Sequence, residues 1–341
     1  MTERDTIARA AVDVIIPVYR PGSWLQACLA SVGASVGVET RVVVVDNSEP
    51  DDPPVQRPAL VGLRWIRPGR NLGFAAATNL GIRLGNAPAV LCLNQDARVA
   101  PDFLARLAPL LLGDPTVGSV CGKVLRVSGP IDAPDGLIDT AGLQMSTGRR
   151  AIDIGQGARD DGDFDGSREV FGVSAAVALY RRAALEAVTE SGQVFDERFF
   201  MYKEDVDLAW RLRRGGYRAI VDGSAVAYHG RSVARQDFLP GRFGSIRALI
   251  QQERGKPAWA RRLAWRNQWL MVVKNERGAD VARSALDYVV RELSLLGLGL
   301  MIDPVGTVGV RVKLLGELAE ALRRRRKAQE LALADISDWL P

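Results

Sequence analysis

The sequence predicts an α/β protein built on a mainly parallel central sheet, with a helical segment at its C-terminal end. Three observations carry this expectation. Short continuous apolar runs rich in β-branched residues alternate with helix-compatible stretches along the first part of the chain, the pattern of strands covered on both faces. Each run stops at polar residues or at proline and glycine. From about residue 241 the pattern turns helical throughout.

The run Val12 to Val18 (VDVIIPV) reads as a strand, closed by the loop Arg20-Pro21-Gly22, and Trp24 to Ser31 reads as a helix. Arg41 to Val45 (RVVVV) is a second strand ending at Asp46-Asn47-Ser48, and Leu63 to Ile66 a third, ending at Arg67-Pro68-Gly69-Arg70-Asn71. A helix over Ala75 to Leu84 leads to the strand Ala89 to Leu93 (AVLCL), which stops at Asn94-Gln95-Asp96. Residues 155–168, rich in glycine and aspartate, predict a mobile surface loop, and residues 169–180 a strand-like run. Arg198 to Tyr202 (RFFMY) leads into a helix beginning near Glu204, and His229 falls just after a strand. In the tail the clearest helices are Ala279 to Leu300 and Val310 to Gln329, and no internal repeat is visible. The expected organisation is a catalytic domain over residues 1–240 and a helical membrane-association or dimerisation segment over 241–341.

Composition bounds the function. At 341 residues the chain is about twice the size of a usual single core. With 47% apolar and 25% charged residues, it fits neither a disordered chain nor a multi-span membrane protein. Cys28, Cys92 and Cys121 are three widely spaced cysteines without a CxxC pair, which argues against a disulfide framework or zinc cluster. The start MTERDTIARA has no apolar core of a secretory leader, and Leu293 to Ile302 falls short of the roughly 20 residues a spanning helix needs. A cytoplasmic location is expected. Net charge is +5, and residues 241–341 hold 18 basic and 11 acidic side chains, so the basic excess belongs to the tail.

In open sheets of this kind ligands sit beyond the carboxyl ends of the strands, here Tyr19, Asp46, Arg70 with Asn71, and Asp96. Asp96 either caps the following element or faces a divalent cation carrying phosphates, since Mg²⁺ and Mn²⁺ take oxygen ligands. His229, the only histidine, is a structural residue or the softer ligand that Mn²⁺ accepts beside carboxylates. Glu204, Asp205 and Asp207 open an amphipathic helix, where acids suit the helix N-terminus and Asp207 can pair with Arg211. The preceding aromatic run FFMY would also give one of them a partly dry pocket, in which a carboxylate serves as general base. The run Arg70 to Gly81 (RNLGFAAATNLG) has neither the spacing of GxGxxG nor a Gly-Lys-Ser/Thr ending, which disfavours a dinucleotide oxidoreductase or a P-loop.

Together, PVYRPGSWLQACLAS, VVVDNS, NLGFAAATNLGI, LNQDA, FDERFFMYKEDVDLAWRLRRGGY and YHG resemble the family 2 inverting glycosyltransferases, in particular the rhamnosyltransferase-like branch, over residues 12–235. The resemblance implies a GT-A type nucleotide-sugar-binding fold, a divalent metal (Mg²⁺ or Mn²⁺), and inversion at the anomeric carbon. Carried onto this chain, it places Pro17 and Tyr19 beside the nucleobase, Asp46 and Asn47 at the base, and Arg70, Asn71, Gly73, Asn94 and Gln95 along the donor. Asp96 matches the last acid of the DxD metal motif and His229 a histidine that joins the metal. Asp205 matches the catalytic base, while Glu204 and Asp207 orient the acceptor or brace the helix, with Ser174 on the acceptor side. Asn94 stands where the motif has its first acid, which weakens the expected metal binding. Ala175 replaces a glycine, which would reshape the acceptor pocket. No QxxRW motif is present, so a processive synthase is disfavoured.

The expected partners are a nucleotide-diphosphate sugar, with dTDP-rhamnose favoured by the branch, and a cell-envelope glycan or polyprenyl-diphosphate-linked sugar. Cell-wall or polysaccharide biosynthesis is the implied setting. Trp265, Trp269, Trp339, the apolar Leu293 to Ile302 and the run Arg323 to Lys327 suit peripheral contact with an anionic membrane at its inner face. The same helices would equally cover the catalytic domain or form a homodimer. Nucleic acid is not expected, because no aromatic stacking motif accompanies the basic tail. A galactofuranose or hexose donor and a non-catalytic nucleotide-sugar-binding module remain as alternatives. A nucleotidyltransferase lacks its glycine-rich, lysine-bearing loop here.

Overall fold

The computed structural model describes residues 10–53, 57, 60, 62–230, 250, 253–330 and 333–340, so the boundary expected at residues 240 and 241 lies outside the described residues. The first strand, β1 (Ala10–Val18), is buried at every position from Val12 onward, as a strand sandwiched between helices requires. It is followed by α1 (Ser23–Gly33), β2 (Val38–Asp46), β3 (Leu63–Ile66), α2 (Gly73–Arg83) and β4 (Ala89–Leu93). Next come the short β5 (Ala97–Val99), α3 (Phe103–Gly113), β6 (Val117–Val127), β7 (Pro134–Thr140) and a small hairpin of β8 (Leu143–Met145) with β9 (Ala151–Asp153). Then come β10 (Ser167–Val170), β11 (Val177–Arg181), α4 (Arg182–Ala187), α5 (Glu204–Arg214) and β12 (Arg218–His229).

The sheet order is β10-β12-β6-β11-β4-β1-β2-β3, with β5 added to β12 and β7 to β6. Strands β3, β2, β1 and β4 form the expected parallel set. The sheet is mixed beyond it, because β11 runs antiparallel to both β4 and β6. The core comprises Val14, Ile15, Ile16, Val44, Leu91 and Leu93 with their helical cover, all completely buried; each such side chain stabilises the fold by roughly 1.5–3 kcal/mol.

Two readings of the middle of the chain change. The strand expected over residues 169–180 divides into β10 and β11, which pair with different partners. Between them Gly172 presses so closely on Ala209 that a Cβ there would overlap it, and residues 171–176 cross in front of α5. The acidic stretch 155–168 is pinned rather than loose: the buried Lys123 ammonium binds Asp160 at 2.6 Å and also Asp165, and the backbones of Ile138, Gly157 and Ala158 hydrogen-bond.

Three long helices follow: α6 (Ala258–Asn275), α7 (Gly278–Ile302) and α8 (Pro304–Glu330). Leu270 and Met271 of α6 join Phe171, Phe199, Val206 and Trp210 in a second apolar cluster, which ties this helix to α5. The same face of α6 carries buried polar groups. Lys274 Nζ lies 2.8 Å from Glu190, 2.9 Å from Asp207 and 3.2 Å from Asp196, and Arg149 pairs with Glu276 at 2.8 Å. Among the described residues no helix is long and apolar enough to cross a membrane.

Candidate active site

The loop after β4 builds one half of the site. Strand β4 is fully buried, Asn94 and Gln95 after it are half-buried, and Asp96 is buried again. Strand β5 follows at once and pairs antiparallel with the end of β12, setting Ala97 opposite His229. Asp96 is therefore not a helix cap: the next helix, α3, starts only at Phe103, after Asp102. The pairing brings Asp96 Oδ1 to 3.4 Å from His229 Nε2, with Asn94 Nδ2 3.3 Å from the same nitrogen. Gly230 donates its N–H to the Asp96 carbonyl at 2.9 Å, and a Cβ on Gly230 would overlap the Trp24 ring.

The other ring nitrogen, Nδ1, lies 2.9 Å from Asp139 Oδ2 on β7. Burial opposes a charge on the imidazole, but the facing carboxylates Asp96 and Asp139 outweigh it and raise its pKa to about 10. A carboxylate that holds one ring nitrogen and so fixes the ring is the support a metal-binding histidine needs. Asp96 and His229 would fit a divalent cation once Nε2 has released the proton that this pKa gives it, since an imidazolium has no lone pair to donate. Among the described residues no cluster of three or more His, Cys, Asp or Glu forms a protein-only cage.

The second half is the start of α5. Asp205 is half-buried; its Oδ2 accepts from Ser174 Oγ at 3.3 Å and from the Ala175 N–H at 3.4 Å, and its Oδ1 from the Val206 N–H at 2.8 Å. Beside it Glu204 is buried, with Oε2 lacking a hydrogen-bond partner among the described residues. Burial first, and the charge of Asp205 second, push its carboxyl well above the usual range. The two halves are joined by three consecutive residues. Ser174 and Ala175 hold Asp205, while the Ala176 carbonyl accepts the Asn94 N–H at 2.8 Å. Ala175 itself is 1% exposed, with its methyl in the core, so its difference from glycine does not line a pocket.

Residues expected along the donor fall into two groups. Tyr19 and Arg70 are exposed at the rim, and half-buried Gln95 binds the Tyr19 backbone in both directions, at 2.9 and 3.2 Å. The rest build the loops. Pro17 is buried inside β1 opposite Val45, leaving Tyr19 as the member of that pair open to a ligand. Asp46 is engaged by the Ser48 N–H at 3.0 Å and Trp65 Nε1 at 3.4 Å. Asn47 bonds the backbones of Leu72 and Gly73, at 3.3 and 3.2 Å, and Asn71 accepts from Gly73 N–H at 2.9 Å. Gly73 has φ 78°, and a Cβ there would fall 2.6 Å from the Phe200 carbonyl oxygen and overlap its ring.

Asp207, expected to orient the acceptor or brace the helix, is fully buried and accepts from Arg211 (2.9 Å), Lys274 (2.9 Å) and Asn275 (2.8 Å). It braces α5 against α6 and does not face the acceptor side. Sequence reasoning missed Asp139, whose only cue was an acid in the otherwise apolar stretch GLID of β7. It also missed the polar residues of α6, which carry no motif.

The model of Glycosyl transferase family 2 matches residues 13–189. The N-acetylglucosaminyl-diphospho-decaprenol L-rhamnosyltransferase of Mycobacterium tuberculosis (strain ATCC 25618 / H37Rv) is 30% identical over 245 residues, 63% of this chain and 75% of that protein. An N-acetylglucosaminyltransferase of Sinorhizobium fredii (strain NBRC 101917 / NGR234) is 28% identical over 234 residues, 64% of this chain and 52% of that one. The crystal structure of GalNAc-T7 with UDP, GalNAc and Mn2+ superposes with a TM-score of 0.55 at 12% identity, covering 79% of this chain and 48% of that one, and shares the fold. The chain belongs to glycosyl transferase family 2 and is a rhamnosyltransferase-like glycosyltransferase of GT-A type.

Proposed function

We propose that the enzyme transfers one sugar, L-rhamnose, from a nucleotide-diphosphate donor such as dTDP-rhamnose to a hydroxyl of a polyprenyl-diphosphate-linked sugar or related envelope glycan, with inversion. The observation that carries the chemistry is the bonded path from Asp205 through residues 174–176 and Asn94 to His229 and Asp96. It links a half-buried carboxylate to a buried carboxylate–imidazole pair, which supports the reading. The names of the M. tuberculosis relative support the sugar and the lipid-linked acceptor.

In this reading Asp96 and His229 would hold Mg²⁺ or Mn²⁺, while Asp139, 2.9 Å from Nδ1, fixes the orientation of the His229 ring. The ion, when bound, offsets the negative charge that grows on the departing diphosphate oxygens. Asp205 accepts the proton of the acceptor hydroxyl as that oxygen attacks the anomeric carbon from the face opposite the leaving group. Ser174 Oγ and the Ala175 N–H hold the carboxylate in place for the transfer. Burial and the charge of Asp205 raise the Glu204 carboxyl above its usual range, which disfavours a second negative charge beside Asp205. Tyr19, Arg70 and Gln95 flank the nucleotide.

Residues 1–240 carry the chemistry and 241–341 an association surface, with α6 shared between them. Leu286, Val289, Val290, Leu293, Leu300 and Met301 leave an apolar face of α7 exposed, and Val305, Val308, Val312, Leu315 and Leu322 do the same on α8. On α8 that face continues into exposed Arg323 and Arg326. Such a surface suits the inner face of an anionic membrane, where a lipid-linked acceptor resides. The test of the whole reading is a screen of nucleotide sugars, each with Mg²⁺ or Mn²⁺, for hydrolysis and for transfer to N-acetylglucosaminyl-diphospho-polyprenol. Preference for dTDP-rhamnose is expected. Preference for UDP-N-acetylglucosamine or a galactofuranose donor would overturn the rhamnose assignment, and absence of turnover with every donor would overturn the enzyme's proposed acceptor as well.

A further inference from the structure

The segment joining the 3-10 turn Glu197–Phe199 to α5 is held in a conformation its residues disfavour. Phe200, Tyr202 and Lys203 have φ of 62°, 71° and 73°, and none is glycine, asparagine or aspartate. A strained stretch of this kind persists only when its surroundings over-determine it. Here a single side chain supplies much of that restraint. Asn267 of α6 is completely buried, and its Nδ2 donates to the carbonyls of Phe199 (2.7 Å), Met201 (2.8 Å) and Tyr202 (2.9 Å), so two N–H hydrogens serve three acceptors. Arg266 Nη1 donates to Asn267 Oδ1 at 2.9 Å and to the Arg198 carbonyl at 2.8 Å, which fixes the direction in which the amide faces.

The held segment touches the donor loop and leads into the start of α5. The Phe200 carbonyl accepts the Ala75 N–H at 3.1 Å, and its ring lies against Gly73 in the donor loop. Lys203 precedes α5 without a side-chain cap, and Asp205 follows two residues later. The bonds that hold Asp205 to Ser174 and Ala175, at 3.3 and 3.4 Å, are long for hydrogen bonds. A small shift of the start of α5 would break them.

We propose that Asn267 is a positioning residue for the transfer reaction: by gripping the left-handed segment 199–203 it sets the start of α5, and with it the reach of Asp205 toward the acceptor. A helix outside the region matched by the family model thereby helps to complete the reaction centre. The inference rests on Asp205 being the base.

The experiment uses the full chain with dTDP-rhamnose and N-acetylglucosaminyl-diphospho-polyprenol as probes, and compares Asn267→Asp and Asn267→Ala, each alone and combined with Asp205→Asn. Asn267→Asp keeps the shape and removes both donors; if it fails to fold, Asn267→Ser, which keeps one donor, takes its place. On folded protein, kcat should fall about 100-fold, the loss typical of a misplacement of about 1 Å, with the donor KM little changed. On the Asp205→Asn background the same change should cost almost nothing, because the group it positions is already gone. Unchanged kcat in the single variants overturns the inference, as does an equal loss on both backgrounds, which marks an effect independent of Asp205. Asp205→Asn by itself reports on the base: retained turnover there sinks the underlying reading, whereas its loss beside unaffected Asn267 variants sinks only the positioning role.

Discussion

Glu204 and Asp205 are adjacent on one helical turn, yet their surroundings separate them. Asp205 has donors from Ser174, Ala175 and Val206, whereas Glu204 is sealed with an oxygen unbonded among the described residues. Burial and the neighbouring charge raise the Glu204 pKa in the fold, so the native state keeps a proton that the unfolded chain releases near pH 4.3. Stability from this group is therefore present below that pH and falls as pH rises toward the native pKa. Glu204→Gln should remove that decline, and thermal melts at pH 5 and pH 8 should show the variant gaining on the parent at the higher pH. Asp139→Asn should weaken Mn²⁺ binding about 10–100-fold without unfolding the protein, measured by titration of the metal with donor nucleotide present. That Asp96 follows one strand, His229 ends another and Asp205 opens a helix was readable, because strand ends and helix starts announce themselves in sequence. Asp139 was not, since a lone acid inside a strand becomes a partner of His229 only once β6 and β7 pair, a contact no local pattern encodes.

The turn at Gly73 shows how backbone geometry places a loop. Gly73 combines φ 78° with direct contact on Phe200. Gly73→Ala should therefore cost more than the roughly 1–2 kcal/mol of a left-handed alanine. Gly69→Ala, at φ 78° with open space around it, should cost only that backbone part. Denaturant unfolding of the two variants checks the difference. The four parallel strands and the flanking helices follow from apolar runs and their punctuation, and their ends agree with expectation to within a few residues. The division of residues 169–180 was hidden because its apolar residues continue through the turn. Gly172 and Ser174 leave the sheet there to meet α5, a choice made by tertiary packing. Helix α6 was equally hard to delimit, as it buries Asn267, Gln268, Lys274 and Asn275 and so lacks a clean apolar stripe.

Across the molecule, the C-terminal helices are joined to the catalytic core by a buried ionic cluster. Burial alone would raise the carboxyls of Asp196 and Asp207, but Lys274 overrides it, aided by Arg198 and Arg324 at the first and Arg211 at the second, so both lie below the usual range. The cluster's stability is therefore present above the unfolded carboxylate pKa of about 3.9 and is lost as pH falls toward the native values. Lys274→Met should remove about 3–5 kcal/mol at pH 7, and its deficit should narrow as pH falls toward 4 and the stranded acids take up protons. The outer faces of α7 and α8 predict co-sedimentation with anionic liposomes. Arg323→Ala with Arg326→Ala should weaken it, by about 1 kcal/mol for each charge near the surface. A two-fold complex at equal liposome-free concentration, seen by light scattering, would instead assign those faces to a second copy.

The most direct measurement is the single-turnover transfer rate of Asp205→Asn beside the parent enzyme, with nucleotide and Mn²⁺ affinity determined on the same samples. Loss of several orders of magnitude in the rate, with donor and metal bound as before, is the predicted result. Near-normal transfer by the folded variant would contradict a reaction centred on that carboxylate.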